Sequence, residues 1–244
     1  MNAMPIQREE QSLPPVALVH GWGSSYDRTW RGTWLEGELL AQGRTLIPVA
    51  LPGHSPGVTS DRPTDYAEIA DQVWCTLERH GCLDAVGFSL GGKLLLRLAA
   101  EHPTRFRRLV IAGVGENLFS AENGTAVSNA LFHGVPHGAP RGLRQVVDEA
   151  LASGNDLSAM AAVICRPPQA FGEELLARIT AGVLMVTGED DEIARSSDAV
   201  TRLLPNGRLV LIPGLGHVET PAARAVQEYA LTFISEECSS PAPQ

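Results

Sequence analysis

The chain has 244 residues, 44% of them hydrophobic and 19% charged, with 24 glycines and 17 prolines. That is enough for one domain with its own core, and it excludes a disordered chain, a collagen and a coiled coil. A formal net charge of −9 disfavours nucleic acid as a partner, and no run of about 18 uncharged apolar residues supplies a membrane span.

Residues Met1 to Glu10 lack a basic segment followed by an apolar run, so no secretory leader is predicted. Val16 to His20 reads as the first strand. It runs into His20-Gly21-Trp22-Gly23, a glycine-flanked turn that can aim a backbone N–H at a developing oxyanion. Trp22 N–H is the candidate donor, and His20 is read as shaping the loop. A helix over Trp34 to Gln42 and a strand over Thr45 to Ala50 follow. The turn Leu51-Pro52-Gly53-His54-Ser55 carries a structural His54. A helix is predicted over Tyr66 to His80, with His80 and His102 near helix ends, where a cation suits the dipole. Four cysteines, Cys75, Cys82, Cys165 and Cys238, lack Cys-x-x-Cys spacing, which predicts free thiols in a reducing cytoplasm.

The strongest chemical signal comes next. A strand over Ala85 to Phe88 meets Ser89, and a helix over Leu90 to Glu101 follows. Together they form Gly87-Phe88-Ser89-Leu90-Gly91-Gly92, a serine on a sharp strand-to-helix turn. Glycines two before and two after the serine leave room where side chains would strike neighbouring backbone. The helix start offers free N–H groups, with Leu90 N–H the second oxyanion candidate. Lys93, the only lysine against eighteen arginines, lies one helical turn past Ser89 and is read as structural, not as a base.

After a strand over Arg108 to Ala112 the rhythm breaks. Residues 114–180 read as a helical insertion, a lid, with helices over Leu143 to Ala152 and Leu157 to Ile164. Its apolar residues Leu118, Phe119, Leu131, Phe132, Val135, Met160 and Phe171 either line a pocket or pack the insertion onto the sheet. His133 and His137 are candidate substrate contacts there. The core resumes with strands over Val183 to Thr187 and Arg208 to Ile212 and helices over Ser197 to Leu204 and Ala222 to Ile234. The first of these strands ends in Gly188-Glu189-Asp190-Asp191-Glu192, and His217 follows the second in Pro213-Gly214-Leu215-Gly216-His217. A serine needs a base, and the base an anionic partner. His217 is the candidate base. Any member of the acidic run could be its partner, and the chain presents serine, acid and histidine in that order. The tail, Glu236 to Gln244, is expected to be loose.

These motifs resemble the α/β-hydrolase superfamily, in its lid-bearing serine hydrolase and esterase branch. The resemblance covers most of the chain. It implies a mostly parallel sheet with helices on both faces, built from residues 1–113 and 181–244, with residues 114–180 as the inserted lid. It implies Ser89 as nucleophile, His217 as base, Asp191 rather than Asp190 as the acid, Trp22 and Leu90 as backbone donors, and neither metal nor cofactor. The implied reaction is cleavage of a small-molecule carboxylic ester through an acyl-enzyme, in the cytoplasm. Thioester hydrolysis or acyl transfer by the same triad, carbon–carbon bond hydrolysis, perhydrolysis and non-catalytic ligand binding are the alternatives. No motif fixes an oligomeric state. Two departures stand out. Only 19 residues precede His20, so the usual antiparallel hairpin there is short or partly absent, and Ala50 replaces the usual Asp before Leu-Pro-Gly.

Overall fold

The computed structural model describes residues 13–120 and 122–236, in which helices are interleaved with six strands. The elements are β1 (Val16–Val19), α1 (Tyr26–Thr29), α2 (Trp34–Ala41), β2 (Leu46–Val49), α3 (Ile69–Leu77), β3 (Leu83–Phe88), α4 (Leu90–Glu101) and β4 (Phe106–Ala112). They continue as α5 (Gly124–His133), α6 (Arg141–Ala152), α7 (Leu157–Ile164), α8 (Glu173–Leu176), β5 (Gly182–Gly188), α9 (Ser197–Arg202), β6 (Gly207–Ile212) and α10 (Arg224–Ser235).

The six strands form one sheet in the order β2-β1-β3-β4-β5-β6, every pairing parallel. Side chains alternate across a strand, so each strand feeds two cores. Ala17, Val19, Ala85, Leu109 and Ile111 face α3 and α4, whereas Val16, Leu18, Val86, Val110 and Ala112 face α2 and α10. Burial on both sides explains why the strands read as continuous apolar runs. Pro48 cannot donate to a ladder, and it sits exposed in β2 at the sheet edge.

The chain leaves β1 for β2 on one side, then crosses back to β3 on the other. The order therefore reverses between β1 and β3, and in open α/β sheets the crevice beyond such strand ends takes the ligand. Here that crevice receives the loop after β1, with Trp22, and the turn after β3, with Ser89.

Several boundaries differ from expectation. The helix predicted over Tyr66 to His80 starts only at Ile69, because a 3₁₀ turn with a leading proline occupies Pro63–Tyr66. The helix predicted from Ala222 starts at Arg224, after a 3₁₀ turn over Thr220–Ala222. Between β4 and β5 lie four helices; α5 and α8 were not predicted. Cys75 and Cys165 are free thiols. The leader reading, Cys238 and all of the tail beyond Glu236 lie outside the described residues, as does most of the stretch that a preceding hairpin would occupy. Among the described residues no helix is long and apolar enough to cross a membrane.

Candidate active site

Ser89 occupies the turn between β3 and α4 at φ 50°, ψ −116°, a left-handed conformation that costs a non-glycine residue about 1–3 kcal/mol. The turn is held by Ser89 N–H donating to Ala112 O at 2.8 Å and Lys93 N–H donating to Ser89 O at 3.0 Å. A Cβ on Gly87 would stand 2.7 Å from Leu95 Cδ1 and 2.8 Å from Gly92 N. One on Gly91 would run into the carbonyl of His20, so both flanking positions exclude side chains.

His217 Nε2 lies 3.0 Å from Ser89 Oγ, and His217 Nδ1 lies 2.7 Å from Asp191 Oδ2. The loops after β5 and β6 are laced together to achieve this. Glu189 N–H donates to Ile212 O at 2.9 Å and Asp190 N–H to Leu215 O at 3.1 Å. Asp191 is buried, and its Oδ1 accepts from the N–H groups of Ile193 and Ala194, each at 2.8 Å. Burial opposes its ionisation, but the hydrogen bond and charge of His217 and these two N–H groups hold its carboxyl below the ordinary range. Asp190 is exposed and its backbone, not its carboxylate, joins the lacing. Phe88 packs on the His217 ring, with centroids 5.0 Å apart.

The N–H groups of Trp22 and Leu90 have no protein acceptor among the described residues, and both residues line the same cavity as Ser89 and His217. Two buried imidazoles shape the loop that carries Trp22. His20 Nδ1–H donates to Gly21 O at 2.8 Å while Nε2 accepts from Leu51 N–H at 3.1 Å. His54 Nδ1–H donates to Pro52 O at 3.1 Å while Nε2 accepts from Gly23 N–H at 2.9 Å. Each ring is thus a neutral bracket between two turns. Burial, together with the neighbouring His54, pulls His20 down to about 3, and burial pulls His54 down to about 4.

The unfolded chain accepts these two protons near pH 6.5 and the folded chain refuses them. Between the two values the unfolded state binds more protons, so stability is full above about pH 6.5 and falls as the pH drops. Each ring contributes a slope of about 1.4 kcal/mol per pH unit in that window. Thermal melts from pH 7 to 4.5 should show this decline, and His54→Gln should flatten it. A melting temperature independent of pH across the window would contradict the assignment.

The cavity above Ser89 has a volume of about 550 Å³. Its apolar wall comes from Val127, Leu143, Val146, Ile164 and Ile193. None of the seven insertion residues considered at the outset lines it. Leu131 and Met160 are core, Phe119 and Phe132 are exposed, and Leu118 and Phe171 border a second, smaller cavity. His133 and His137 are exposed and also stand outside it. The register of α5 and α6 decides which face meets the cavity, and apolar content alone does not carry that register.

The insertion is tied down through contacts that sequence reasoning missed. Trp22 Nε1 donates to Met160 O at 2.9 Å. Asn155, almost fully buried, donates to Ser24 O at 2.9 Å and accepts from Ser55 N–H at 2.8 Å. Arg28 grips Glu149 through two bonds of 2.9 and 3.1 Å. The one local hint was a polar Asn155-Asp156 pair opening α7, where Asp156 serves as the cap.

A family model described as "Alpha/beta hydrolase family" matches residues 16–230. The chain belongs to the alpha/beta hydrolase family. Among its relatives, a Pimeloyl-[acyl-carrier protein] methyl ester esterase of Neisseria meningitidis serogroup B is 30% identical, over 89% of this chain and 95% of the relative. The esterase RhEst1 from Rhodococcus sp. ECU1013 shares the fold at a TM-score of 0.69 and 24% identity, covering 92% of this chain and 91% of the other. The enol-lactonase from Burkholderia xenovorans LB400 superposes at a TM-score of 0.72 and 16% identity, covering 94% of both. From the helical segment between β4 and β5, Val127, Leu143, Val146 and Ile164 line the cavity that Ser89 also borders.

Proposed function

We propose that this hydrolase cleaves carboxylic esters by nucleophilic catalysis, with Ser89, His217 and Asp191 as its triad. The observation that carries the reading is the unbroken contact path from Ser89 Oγ through the imidazole to a buried carboxylate. Asp191 fixes the tautomer with the proton on Nδ1, so Nε2 accepts from the serine hydroxyl. His217 takes that proton as Oγ attacks the acyl carbon. The free N–H groups of Trp22 and Leu90 receive the negative charge on the carbonyl oxygen; one such donor contributes about 3–4 kcal/mol to the transition state. His217 then protonates the departing alcohol, and a water activated by the same imidazole releases the acid.

The relative named as a methyl ester esterase supports a small alcohol as leaving group, and the mainly apolar wall supports an aliphatic acyl chain. Helices α5 to α8 act as the lid that excludes water and selects this chain.

Asp191→Asn should lower kcat by about 10⁴-fold, because the amide stabilises the wrong tautomer. Asp190→Asn should change it little. Steady-state hydrolysis of p-nitrophenyl and methyl esters by the two variants decides the matter, and the opposite ranking would assign the wrong carboxylate.

A further inference from the structure

The cavity above Ser89 is not uniformly apolar. Where α4 passes beneath it, Lys93 faces both this cavity and a second one of about 200 Å³ beyond Leu90 and Ile164. Lys93 follows Ser89 by four residues, so it lies on the same helix face about one turn, or 6 Å, along the axis. Its side chain is only 13% exposed. Nζ donates to Asn117 O at 2.9 Å and to Glu122 Oε1 at 3.2 Å. An ammonium has three donors, and these contacts occupy two.

Glu122 is itself shared. Its second oxygen lies 2.8 Å from Arg166, whose side chain is 12% exposed. Two half-buried cations therefore surround one carboxylate. The other charges bordering the two cavities cancel in pairs, Arg28 with Glu149 and Arg97 with Glu101. The Asp191 carboxylate is screened from the cavity by its bond to His217. What remains over the two cavities together is one unit of positive charge, and Lys93 is the cation of that cluster that also borders the cavity above Ser89, beside the aliphatic side chains of Val127, Val146 and Ile164. In such a setting a fixed cation attracts an anion far more strongly than it would in water.

We propose that Lys93 is a specificity-determining residue that selects esters carrying a second, anionic carboxylate a few atoms from the scissile carbonyl: monoesters of short dicarboxylic acids. The ester group reaches Ser89, the methylene chain lies along Val127, Val146 and Ile164, and the distal carboxylate takes the third donor of Lys93. The proposal rests on the ester-hydrolase reading and names the substrate class of that same site.

Two esters of equal length separate charge from shape: monomethyl glutarate, and the neutral compound in which its carboxylate is a carboxamide. The wild-type protein is expected to favour the anion in kcat/KM by about tenfold or more, the effect of one charge-assisted hydrogen bond. Lys93→Met should bring the ratio to about one, and Lys93→Arg should keep most of it. A lysine that only braced the loop around Asn117 and Glu122 would alter both substrates together and leave the ratio intact. A wild-type ratio near one, or an unchanged ratio in Lys93→Met, overturns the proposal.

Should Lys93→Met fail to fold, the wild-type chain still provides the test. Incorporation of ¹³C-labelled lysine reports on the sole lysine and leaves its ammonium unmodified. Free glutarate should shift its side-chain resonance and the diamide should not; equal responses to both, or to neither, would refute the contact. If no ester of any kind is turned over, the ester-hydrolase reading fails. If the carboxamide ester is cleaved and the anion is no better, only the specificity assignment fails.

Discussion

Replacing Ser89 with Ala is expected to reduce kcat for ester cleavage by about 10⁶-fold, the scale of loss when a nucleophile of this kind is removed. The remaining rate should come from the oxyanion donors and from binding alone. The geometry explains why no neighbour can substitute. Ser89 is the hydroxyl in contact with His217 Nε2, and it is presented by a φ of 50° that its own turn enforces. His217→Ala should cost about as much, and the double variant little more, because the groups act as one unit. Rates with p-nitrophenyl butyrate and labelling by a fluorophosphonate give two independent readouts. Near wild-type turnover in Ser89→Ala would remove the nucleophile assignment.

What could be read from the residues follows the range of the forces involved. The turn at Ser89 was legible because its constraints are local: Gly87 and Gly91 are needed within two positions of the serine. The strands were legible because both sheet faces are buried, which removes polar residues from runs such as Val183 to Val186. Asp191 was not separable from its neighbours by chemistry alone. Its position depends on the lacing of two loops that the sequence places some 25 residues apart, and the family resemblance supplied that choice. Helix α5 was missed because Gly124, Thr125, Val127, Ser128 and Asn129 are weak helix formers. It is held by packing against α6 and α7 instead. The bond from Trp22 to Met160 joins residues 138 apart, a separation at which no periodicity survives.

The largest effect on stability should come from a residue with no place in the chemistry. Asp84 lies at the start of β3 and is fully buried, one position before the predicted strand. Its carboxylate is shared by Arg44, just before β2, and Arg107 in β4, whose Nε donates to it at 2.9 Å. Arg107 also donates to Ile234 O at 2.7 Å, which joins the end of α10 to the cluster. One carboxylate thus holds three strands' ends and a helix. Arg44 is itself almost fully buried, and burial pulls its guanidinium below its ordinary value despite the attraction of Asp84.

Asp84→Asn keeps the shape and removes the charge, leaving a buried guanidinium uncompensated. Breaking a buried pair in this way costs about 3–5 kcal/mol. For a chain of this size that corresponds to a loss of roughly 6–20 °C in Tm. The contrast is Asp27, whose i,i+4 partner Arg31 is 2.6 Å away but where both side chains are more than 60% exposed. Solvent screens that pair, so Asp27→Ala should lie within about 0.5 kcal/mol of wild type. Urea titrations should move the Asp84→Asn midpoint with little change in slope, and activity per folded molecule should persist. The sign of the effect depends on Arg44 having no second anion: if Asp84→Asn unfolds at the wild-type midpoint, another group must neutralise Arg44 in the folded chain.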